Sequence, residues 1–204
     1  MKLFISVTAR KIALNRFLKD SNDTNWAMPS IFIETQRLIL RQWKKTDYIP
    51  YIKLNQDKEV MELFPSVKTE EESLAHILKI SNQINISGCG LFAVERKDNQ
   101  QFIGFTGFSH PGFESYFTPC VEIGWRLSKH NWNMGFATEA ASACLEFGFN
   151  KLNFNDIYSF TSVNNKRSEQ VMIKIGMIKH GFFDHPLISE GHILKPHVLY
   201  KISR

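Results

Sequence analysis

The sequence predicts a single α/β domain, and three observations lead to this prediction. The first is the stretch from Val121 to Leu152, where a period of two changes to a helical period across a turn that contains Gly135. The second is a strand, a polar turn and a returning strand between Leu91 and Phe108. The third is size, because 204 residues with 43% hydrophobic content can bury one sizeable core.

Residues 1–30 are expected to be a basic leader or linker, and residues 31–204 to form the domain. The leader holds five Lys or Arg and two Asp, a net charge of +3 out of the total of +5, so the remaining chain is nearly balanced. Its composition is typical of a transit peptide or an amphipathic surface helix; the alternative is that Met28 is the true start.

The nearly balanced charge of residues 31–204 argues against nucleic acid as the main partner. No apolar run is long enough for a membrane span.

Cysteine and histidine usage points away from a metal site. Neither set has the close spacing of zinc ligands, and an odd number of scattered cysteines does not form a disulfide framework. We therefore expect reduced thiols, no metal and a cytoplasmic location. Cys144 is expected in the core, and the histidines are expected to form structural hydrogen bonds. The residues concerned are Cys89, Cys120, Cys144, His185, His192 and His197.

The first elements of the domain are a strand and two helices. Leu38 and Leu40 point to one face of a strand that is expected from Ile33 to Arg41. A helix is expected to start at Thr46-Asp47. A second helix opens at Thr69, which forms a capping box with Glu72. His76 in this helix is expected to be solvated.

A hairpin follows, with strands at Leu91–Arg96 and Phe102–Phe108 joined by the polar turn Lys97–Gln100. The two glycines of its second strand, Gly104 and Gly107, indicate close packing or a bulge.

The central stretch predicts an anion site where a strand meets a helix. The first turn of a helix has amides without intrahelical partners, and the helix dipole adds partial positive charge. Gly135 allows the backbone to approach a ligand closely, and Asn133 tolerates a left-handed backbone. Thr138 is the expected N-cap, and Glu139 suits the positive first turn. Neither a P-loop nor a dinucleotide fingerprint occurs, so the signal alone is also compatible with ordinary α/β structure.

The remaining elements are a strand at Asp156–Thr161, a helix after Asn165 and a last strand. Gly176 is expected to end the helix as its C-cap. In the last strand, Val198, Tyr200 and Ile202 alternate with other residues.

Four sequence blocks resemble one family, the GNAT acyl-CoA N-acyltransferases, and within it the branch of the ribosomal-protein N-terminal acetyltransferases. W-N-M-G-F-A-T-E-A is similar to the pyrophosphate loop of that branch, W-G-x-G-Y-A-T-E-A, with Asn133 where the branch often has Gly. E-T-Q-R-L-I-L-R resembles its opening strand. N-N-K-R-S-E-Q-V-M-I-K-I-G-M and the ending D-H-P-L-I-S-E-G-H-I-L-K-P-H-V-L-Y resemble two later blocks. The resemblance covers about Ile33 to Ser203.

The resemblance implies a GNAT fold: a mixed, largely antiparallel twisted sheet of about six to seven strands, splayed in the middle and flanked by about four helices. It implies transfer of an acetyl group from acetyl-CoA to a primary amine by direct attack. Pantetheine is expected between the parting strands, and the diphosphate on the turn amides. The expected cofactor-binding residues are Trp125, Arg126, Leu127, Trp132, Asn133, Met134, Gly135, Phe136, Ala137, Thr138 and Asn165.

Three residues are candidates for the chemistry. Glu122 is the candidate base that removes a proton from the amine; the alternatives are a water chain, or a purely structural pairing of Glu122. Asn165 would orient water or pantetheine, and Ser168 would assist the departing thiolate. Many GNAT enzymes have a Tyr acid where this chain has Met172, which cannot donate a proton.

Several functional alternatives stay open at this point. The acceptor is a small molecule or a protein N-terminus, and its groove is expected from the loops Phe64–Lys68 and His110–Pro119. The opposing possibility is a catalytically silent acyl-CoA-binding module, which the missing Tyr favours. A third is a protein that uses the basic leader on ribosomes or membranes. A monomer and a homodimer are equally compatible with the sequence.

Overall fold

The computed structural model describes residues 31–204, so the predicted leader, residues 1–30, lies outside the described residues. Within residues 31–204 the chain forms one sheet with helices on both faces. Its strands are β1 (Ile31–Glu34), β2 (Leu38–Arg41), β3 (Leu91–Arg96), β4 (Phe102–Ser109), β5 (Glu122–Leu127), β6 (Asp156–Ser162), β7 (Ile178–Asp184) and β8 (Pro196–Ser203). Its helices are α1 (Tyr48–Gln56), α2 (Glu70–Ser87), α3 (Phe136–Asn150) and α4 (Lys166–Lys174).

The strands lie side by side in the order β1-β2-β3-β4-β5-β6-β8-β7. Every neighbouring pair is antiparallel except β5 and β6, which are parallel. The predicted mixed, largely antiparallel sheet is confirmed, and the described residues contain one strand more than the predicted range. The prediction of a single strand from Ile33 to Arg41 is wrong, because residues 35–37 form a turn that pairs β1 with β2 as a hairpin. Among the helices of residues 31–204, none combines the length and the apolar character needed to cross a membrane.

Helices cover both faces because the sheet is apolar on both. On one face, α3 buries Ala140, Ala141 and Cys144 completely, which confirms the core position of Cys144. A Cβ at Gly148 would lie 2.8 Å from the Phe108 ring, so α3 sits close to β4. On the other face, Tyr51 of α1 packs edge-on against Trp43.

The two glycines of β4 confirm both parts of their prediction. A Cβ at Gly104 would lie 2.1 Å from the carbonyl oxygen of Arg126, and one at Gly107 would lie 2.1 Å from that of Gly90. The register between β3 and β4 also shifts at Val94, opposite Gly104. Only glycine permits the neighbouring strands to approach this closely.

The predicted cap is confirmed at the start of α2, but the predicted C-cap of α4 is off by one residue. Thr69 and Glu72 form the predicted capping box: the Glu72 amide donates to Thr69 Oγ1 at 3.1 Å, and the Thr69 amide donates to Glu72 Oε2 at 2.8 Å. Helix α4 ends at Lys174. Gly176, with φ of 83°, lies one residue beyond the C-cap Ile175 rather than at the cap itself.

The prediction that His76 is solvated is wrong. His76 is half-buried, and its Nδ1 forms a hydrogen bond with the hydroxyl of Tyr51. Burial and the nearby cations Lys68, Arg126 and Lys79 lower its pKa to about 4, so the ring is neutral at physiological pH. The helical pattern around His76 did not indicate that α1 would supply a buried tyrosine opposite it.

A buried ion network joins β2 and β3 to the start of α1. Arg41 donates to both carboxylate oxygens of Asp47, at 2.7 and 2.9 Å, and its Nε donates to Glu95 at 2.6 Å. All three residues are less than a tenth exposed. Because each charge has an opposite partner in hydrogen-bond contact, the network fixes α1 against the sheet.

Candidate active site

Strands β5 and β6 separate immediately after they meet. They pair in register only at Glu122 and Tyr158, where the Tyr158 amide donates to the Val121 carbonyl at 2.9 Å. One step further along, the Ser159 hydroxyl donates to the Ile123 carbonyl at 2.9 Å and takes the place of a ladder bond. The rest of β5 has no strand partner on that side within the described chain. The predicted splay in the middle of the sheet is therefore present.

The turn after β5 presents a row of free backbone amides. Asn133 and Gly135 adopt left-handed conformations, with φ of 58° and 80°, and α3 starts directly afterwards at Phe136. The Glu139 amide makes the first helical bond, to the Gly135 carbonyl at 3.0 Å. Within residues 31–204, no acceptor takes a hydrogen bond from the amides of residues 133–138. Free donors at a helix N-terminus are suited to bind an anion.

The prediction that Thr138 is the N-cap is wrong. Gly135 holds that position, without a side-chain hydrogen bond, and Thr138 lies in the first helical turn. The left-handed glycine starts the helix earlier than the Thr signal indicated. The result leaves the amide of Thr138 among the free donors, as its predicted binding role requires.

The short turn between β1 and β2 holds this turn in place. Glu139 accepts from the Thr35 hydroxyl at 2.6 Å, from the Arg37 amide at 2.9 Å and from Arg37 Nε at 2.6 Å. Arg37 Nη1 in turn donates to the Met134 carbonyl at 2.9 Å. Glu139 lies in the first turn of α3, as the helix dipole predicted. It also contacts Thr35 and Arg37, and the local sequence did not indicate this contact.

A cavity of about 320 Å³ opens onto the free amides. All the predicted cofactor-binding residues line it except Met134. Met134 is 45% exposed, and its carbonyl accepts a hydrogen bond from Arg37. The cavity walls that the sequence did not predict include Val60, Leu63, Asn131, Arg167, Gln170 and Lys174. Arg167, Val171 and Lys174 recur at helical spacing, a signal that was readable from the sequence.

Glu122 has a polar but uncharged neighbour. Its Oε2 accepts from the Ser109 hydroxyl at 2.9 Å, and among residues 31–204 it forms no ion pair. It lies where β5 and β6 part, at the opposite end of β5 from the free amides. Burial raises the pKa of Glu122 to about 7, and the Ser109 hydrogen bond opposes this shift. A carboxyl with this pKa can exchange a proton near neutral pH.

The side chain of Asn165 is occupied by structural hydrogen bonds. Its Oδ1 accepts from the Ser168 amide at 3.1 Å as the N-cap of α4, and its Nδ2 donates to Thr161 Oγ1 at 2.8 Å. Ser168 lines the cavity with its side chain half-buried. Met172 is 1% exposed and belongs to the core.

Comparisons with known proteins identify the family. The acetyltransferase (GNAT) domain model matches residues 37–178 of this chain.

The chain belongs to the GNAT acetyltransferase family.

Relatives and solved structures agree with this assignment. An uncharacterized N-acetyltransferase of Bacillus subtilis, YnaD, is 35% identical over 153 residues, which cover 74% of this chain and 85% of that protein. A GNAT acetyltransferase of Bacillus anthracis, solved by crystallography, is 28% identical with a TM-score of 0.70 and covers 85% of this chain and 98% of its own. The ribosomal-protein-S5-alanine acetyltransferase of Vibrio fischeri shares the fold at 18% identity, with a TM-score of 0.68 over 86% of this chain and 97% of its own.

These findings confirm the predicted GNAT fold and the enzyme class, an acetyltransferase that depends on acetyl-CoA. A solved member of the predicted branch is among the proteins with this fold. The residues present also fit the co-substrate of the GNAT family, because free amides, a left-handed glycine and a cavity meet at one place. The roles of individual site residues stay predictions.

The histidines of the GNAT domain's C-terminal part form hydrogen bonds within their own loops. His185 Nδ1 accepts from the Leu187 amide at 3.3 Å, and His192 Nδ1 accepts from the Leu194 amide at 3.1 Å. The rings of His185 and His197 are 4.9 Å apart, and burial lowers the pKa of both. Within residues 31–204, no three His, Cys, Asp or Glu side chains are grouped to hold a metal ion.

Proposed function

We propose that this protein transfers the acetyl group of acetyl-CoA to a primary amine, by direct attack of the amine while both substrates are bound. The row of free amides from Asn133 to Thr138 carries the proposal. These donors would bind the diphosphate of acetyl-CoA, because main-chain N–H groups at a helix N-terminus attract phosphate without a basic side chain.

The gap between β5 and β6 is the proposed site of the pantetheine arm. The arm contains amide groups, and the unpaired part of β5 offers the backbone of Trp125 and the amide of Leu127 to them. The predicted backbone contact of Arg126 is not available, because its carbonyl lies against Gly104 of β4. The Leu127 carbonyl accepts from the Trp132 indole at 2.8 Å. Bound in this way, the arm would direct the thioester toward the point where the strands separate. A β5 amide there would stabilise the negative charge that develops on the thioester oxygen.

We assign Glu122 the role of base in this reaction. A primary amine is mostly protonated at neutral pH and cannot attack until it loses a proton. Glu122 has a pKa of about 7 and lies where the strands part, so it is suited to accept that proton directly or through water. Ser168 would donate to the departing thiolate. Asn165 would act mainly by fixing the entrance of α4, since both ends of its amide are in use.

A thiol-release assay tests this proposal. Purified protein is incubated with acetyl-CoA and a panel of primary amines and N-terminal peptides, and free CoA is detected with a thiol reagent. We expect release that depends on the amine and forms one acetylated product per thiol.

If the protein is instead a silent acyl-CoA-binding module, a different result is expected from the same samples. The core position of Met172, in place of a tyrosine acid, is the observation that favours it. Calorimetry would then detect acetyl-CoA binding while no amine in the panel released thiol. That combined result would overturn the transferase proposal.

We further propose that residues 31–204 are the catalytic unit and that the enzyme is cytoplasmic, acting as a monomer or homodimer. A variant that starts at Met28 tests the first point, since equal kcat/KM for the shortened and full chains is expected. If the leader instead targets ribosomes or membranes, the shortened chain keeps its activity but loses co-sedimentation with them. Loss of folding on removal of residues 1–27 would contradict the proposed division.

A further inference from the structure

The face of β5 that carries Glu122 also carries a cation, Arg126, that has no counter-ion among residues 31–204. Arg126 follows Glu122 and Gly124 on the same face of the strand, and its side chain lines the cavity. None of the ion pairs among residues 31–204 includes Arg126, whereas nearby carboxylates are already paired: Glu59 with Lys129 and Glu62 with Arg167. An unpaired charge in a partly desolvated position is unfavourable unless a ligand completes it.

One part of the guanidinium is held in place. Its Nη1 donates to Asn55 Oδ1 at 2.6 Å, and Asn55 in turn donates to the Ser73 hydroxyl at 3.2 Å. Asn55 and Ser73 are completely buried. The guanidinium also stacks on the Phe64 ring, with 4.1 Å between its central carbon and the ring centroid. These contacts fix the orientation of the group without neutralising its charge.

The opposite edge of the guanidinium has no acceptor. Nε is buried and has no hydrogen-bond partner within the described chain. Nη2 likewise donates to no acceptor among residues 31–204. Nε and Nη2 point along the same edge, which is the edge that binds the two oxygens of a carboxylate in parallel. Burial lowers the pKa of Arg126 to about 10, so the group is still charged at neutral pH.

We infer that the acetyl acceptor carries a carboxylate as well as an amine, and that Arg126 binds this carboxylate through its Nε and Nη2 edge. The inference rests on the proposed function and specifies its substrate class. Arg126 and Glu122 are four residues apart on an extended strand, so their Cα atoms are about 13 Å apart. The acceptor would therefore extend along β5, with the amine near Glu122 and the carboxylate near Arg126. Val60, Leu63 and Phe64 line the cavity with Arg126 and offer an apolar wall to the part of the carbon chain next to the carboxylate.

The same geometry disfavours polyamines, because a second ammonium group would lie against the Arg126 guanidinium. Arg126 lines the same cavity as the free amides, so a contact with CoA has to be distinguished by experiment. The free amides lie beyond the end of β5, while Arg126 is anchored by α1 through Asn55. A role for Arg126 in holding a phosphate of CoA is the competing outcome, and the experiment distinguishes it.

Matched acceptors test the inference. Full-length protein is assayed with 6-aminohexanoate, its neutral analogue 6-aminohexanamide and 1,6-diaminohexane, and with the four- and eight-carbon versions of each set. We expect at least one chain length for which kcat/KM for the carboxylate exceeds that for the amide about tenfold, with the diamine poorest. In Arg126→Gln this ratio should approach one. Arg126→Lys should retain part of it, because a lysine keeps the charge but not the two-pronged edge.

The controls separate the possible failures. Lys53→Gln removes a cation from the exposed side of α1 and should leave the ratio unchanged. Acetylation of all three acceptor types at equal kcat/KM, or an unchanged ratio in Arg126→Gln, overturns the inference and leaves the transferase proposal standing. A loss of CoA affinity in Arg126→Gln with an unchanged acceptor ratio assigns the residue to CoA and also overturns it.

Calorimetry covers the case in which no amine is acetylated, an outcome that contradicts the proposed function. The same compounds are titrated into protein saturated with CoA. Tighter binding of the carboxylates to the original protein than to Arg126→Gln would still support the site, and equal binding to both would refute it.

Discussion

Replacement of Glu122 by Gln gives the most informative single perturbation of the proposed chemistry. The amide still accepts the hydrogen bond from Ser109, which is 2.9 Å long in the present structure, but it cannot take a proton. In the original protein, kcat/KM should rise with pH as the carboxyl ionises around its pKa of about 7. In Glu122→Gln the inflection near pH 7 should disappear and leave only the rise that ionisation of the amine itself produces, and activity at pH 8 should fall about 100-fold, the lower range for loss of a general base.

The same substitution should change the pH dependence of stability. Burial raises the folded-state pKa of Glu122 above its unfolded value, so its contribution to stability is fully present below about pH 4.5 and is lost as pH rises toward 7. The shift corresponds to about 3 kcal/mol, and solvent screening of a half-buried carboxyl reduces this to about 2 kcal/mol. Relative to the original protein, Glu122→Gln should therefore gain about 2 kcal/mol of unfolding free energy between pH 5 and pH 8.

Urea denaturation at the two pH values measures this gain, and pH–rate profiles measure the catalytic effect. Glu146→Gln, on the exposed side of α3, serves as the matched control and should behave like the original protein in both. The reasoning would be refuted if Glu122→Gln kept the inflection of kcat/KM near pH 7 and showed a stability difference independent of pH.

Three further substitutions test the framework of the site. Gly135→Val should weaken CoA binding at least about tenfold by calorimetry, because φ of 80° strains a branched residue; unchanged affinity would contradict the role of the turn. Asp47→Ala should lower the unfolding free energy by about 3–5 kcal/mol in urea, since it leaves the buried Arg41 charge less compensated; a loss below about 1 kcal/mol would count against the network. Thr69→Ala should cost about 1 kcal/mol in the same assay through loss of the cap, and no change would argue that the cap does not stabilise α2.

Features with a local cause were predictable from the sequence. Alternation gave the position of β5, and Gly135 indicated the turn whose amides are free in the structure. The capping box of Thr69 and Glu72 gave the start of α2. Each of these depends on residues within a few positions of one another, so a single sequence contains the necessary information.

Features that depend on distant segments were not predictable in this way. The hydrogen bond of His76 requires Tyr51 from another helix, and the fixed orientation of Arg126 requires Asn55. The clamp on the turn depends on Glu139 meeting Arg37, which is 102 positions away in the chain. Hydrophobic periodicity indicates which face of an element is buried, but it does not indicate which polar group lies opposite.

The position of the helix cap shows how two local signals compete. Thr138 is a good N-cap by residue type, yet the helix begins before it at Phe136. Gly135 adopts a left-handed conformation that a threonine tolerates poorly, so the backbone turns into the helix at the glycine. The earlier start places the free amides of the first turn at residues 135–138.

Titration of CoA into isotope-labelled protein, followed by the amide signals in two-dimensional NMR, tests the central claim most directly. The account predicts that the backbone amides of residues 133–138 undergo the largest shifts and become protected from exchange with solvent. Saturable CoA binding that left those six amides unperturbed, or a complete absence of binding, would contradict the account.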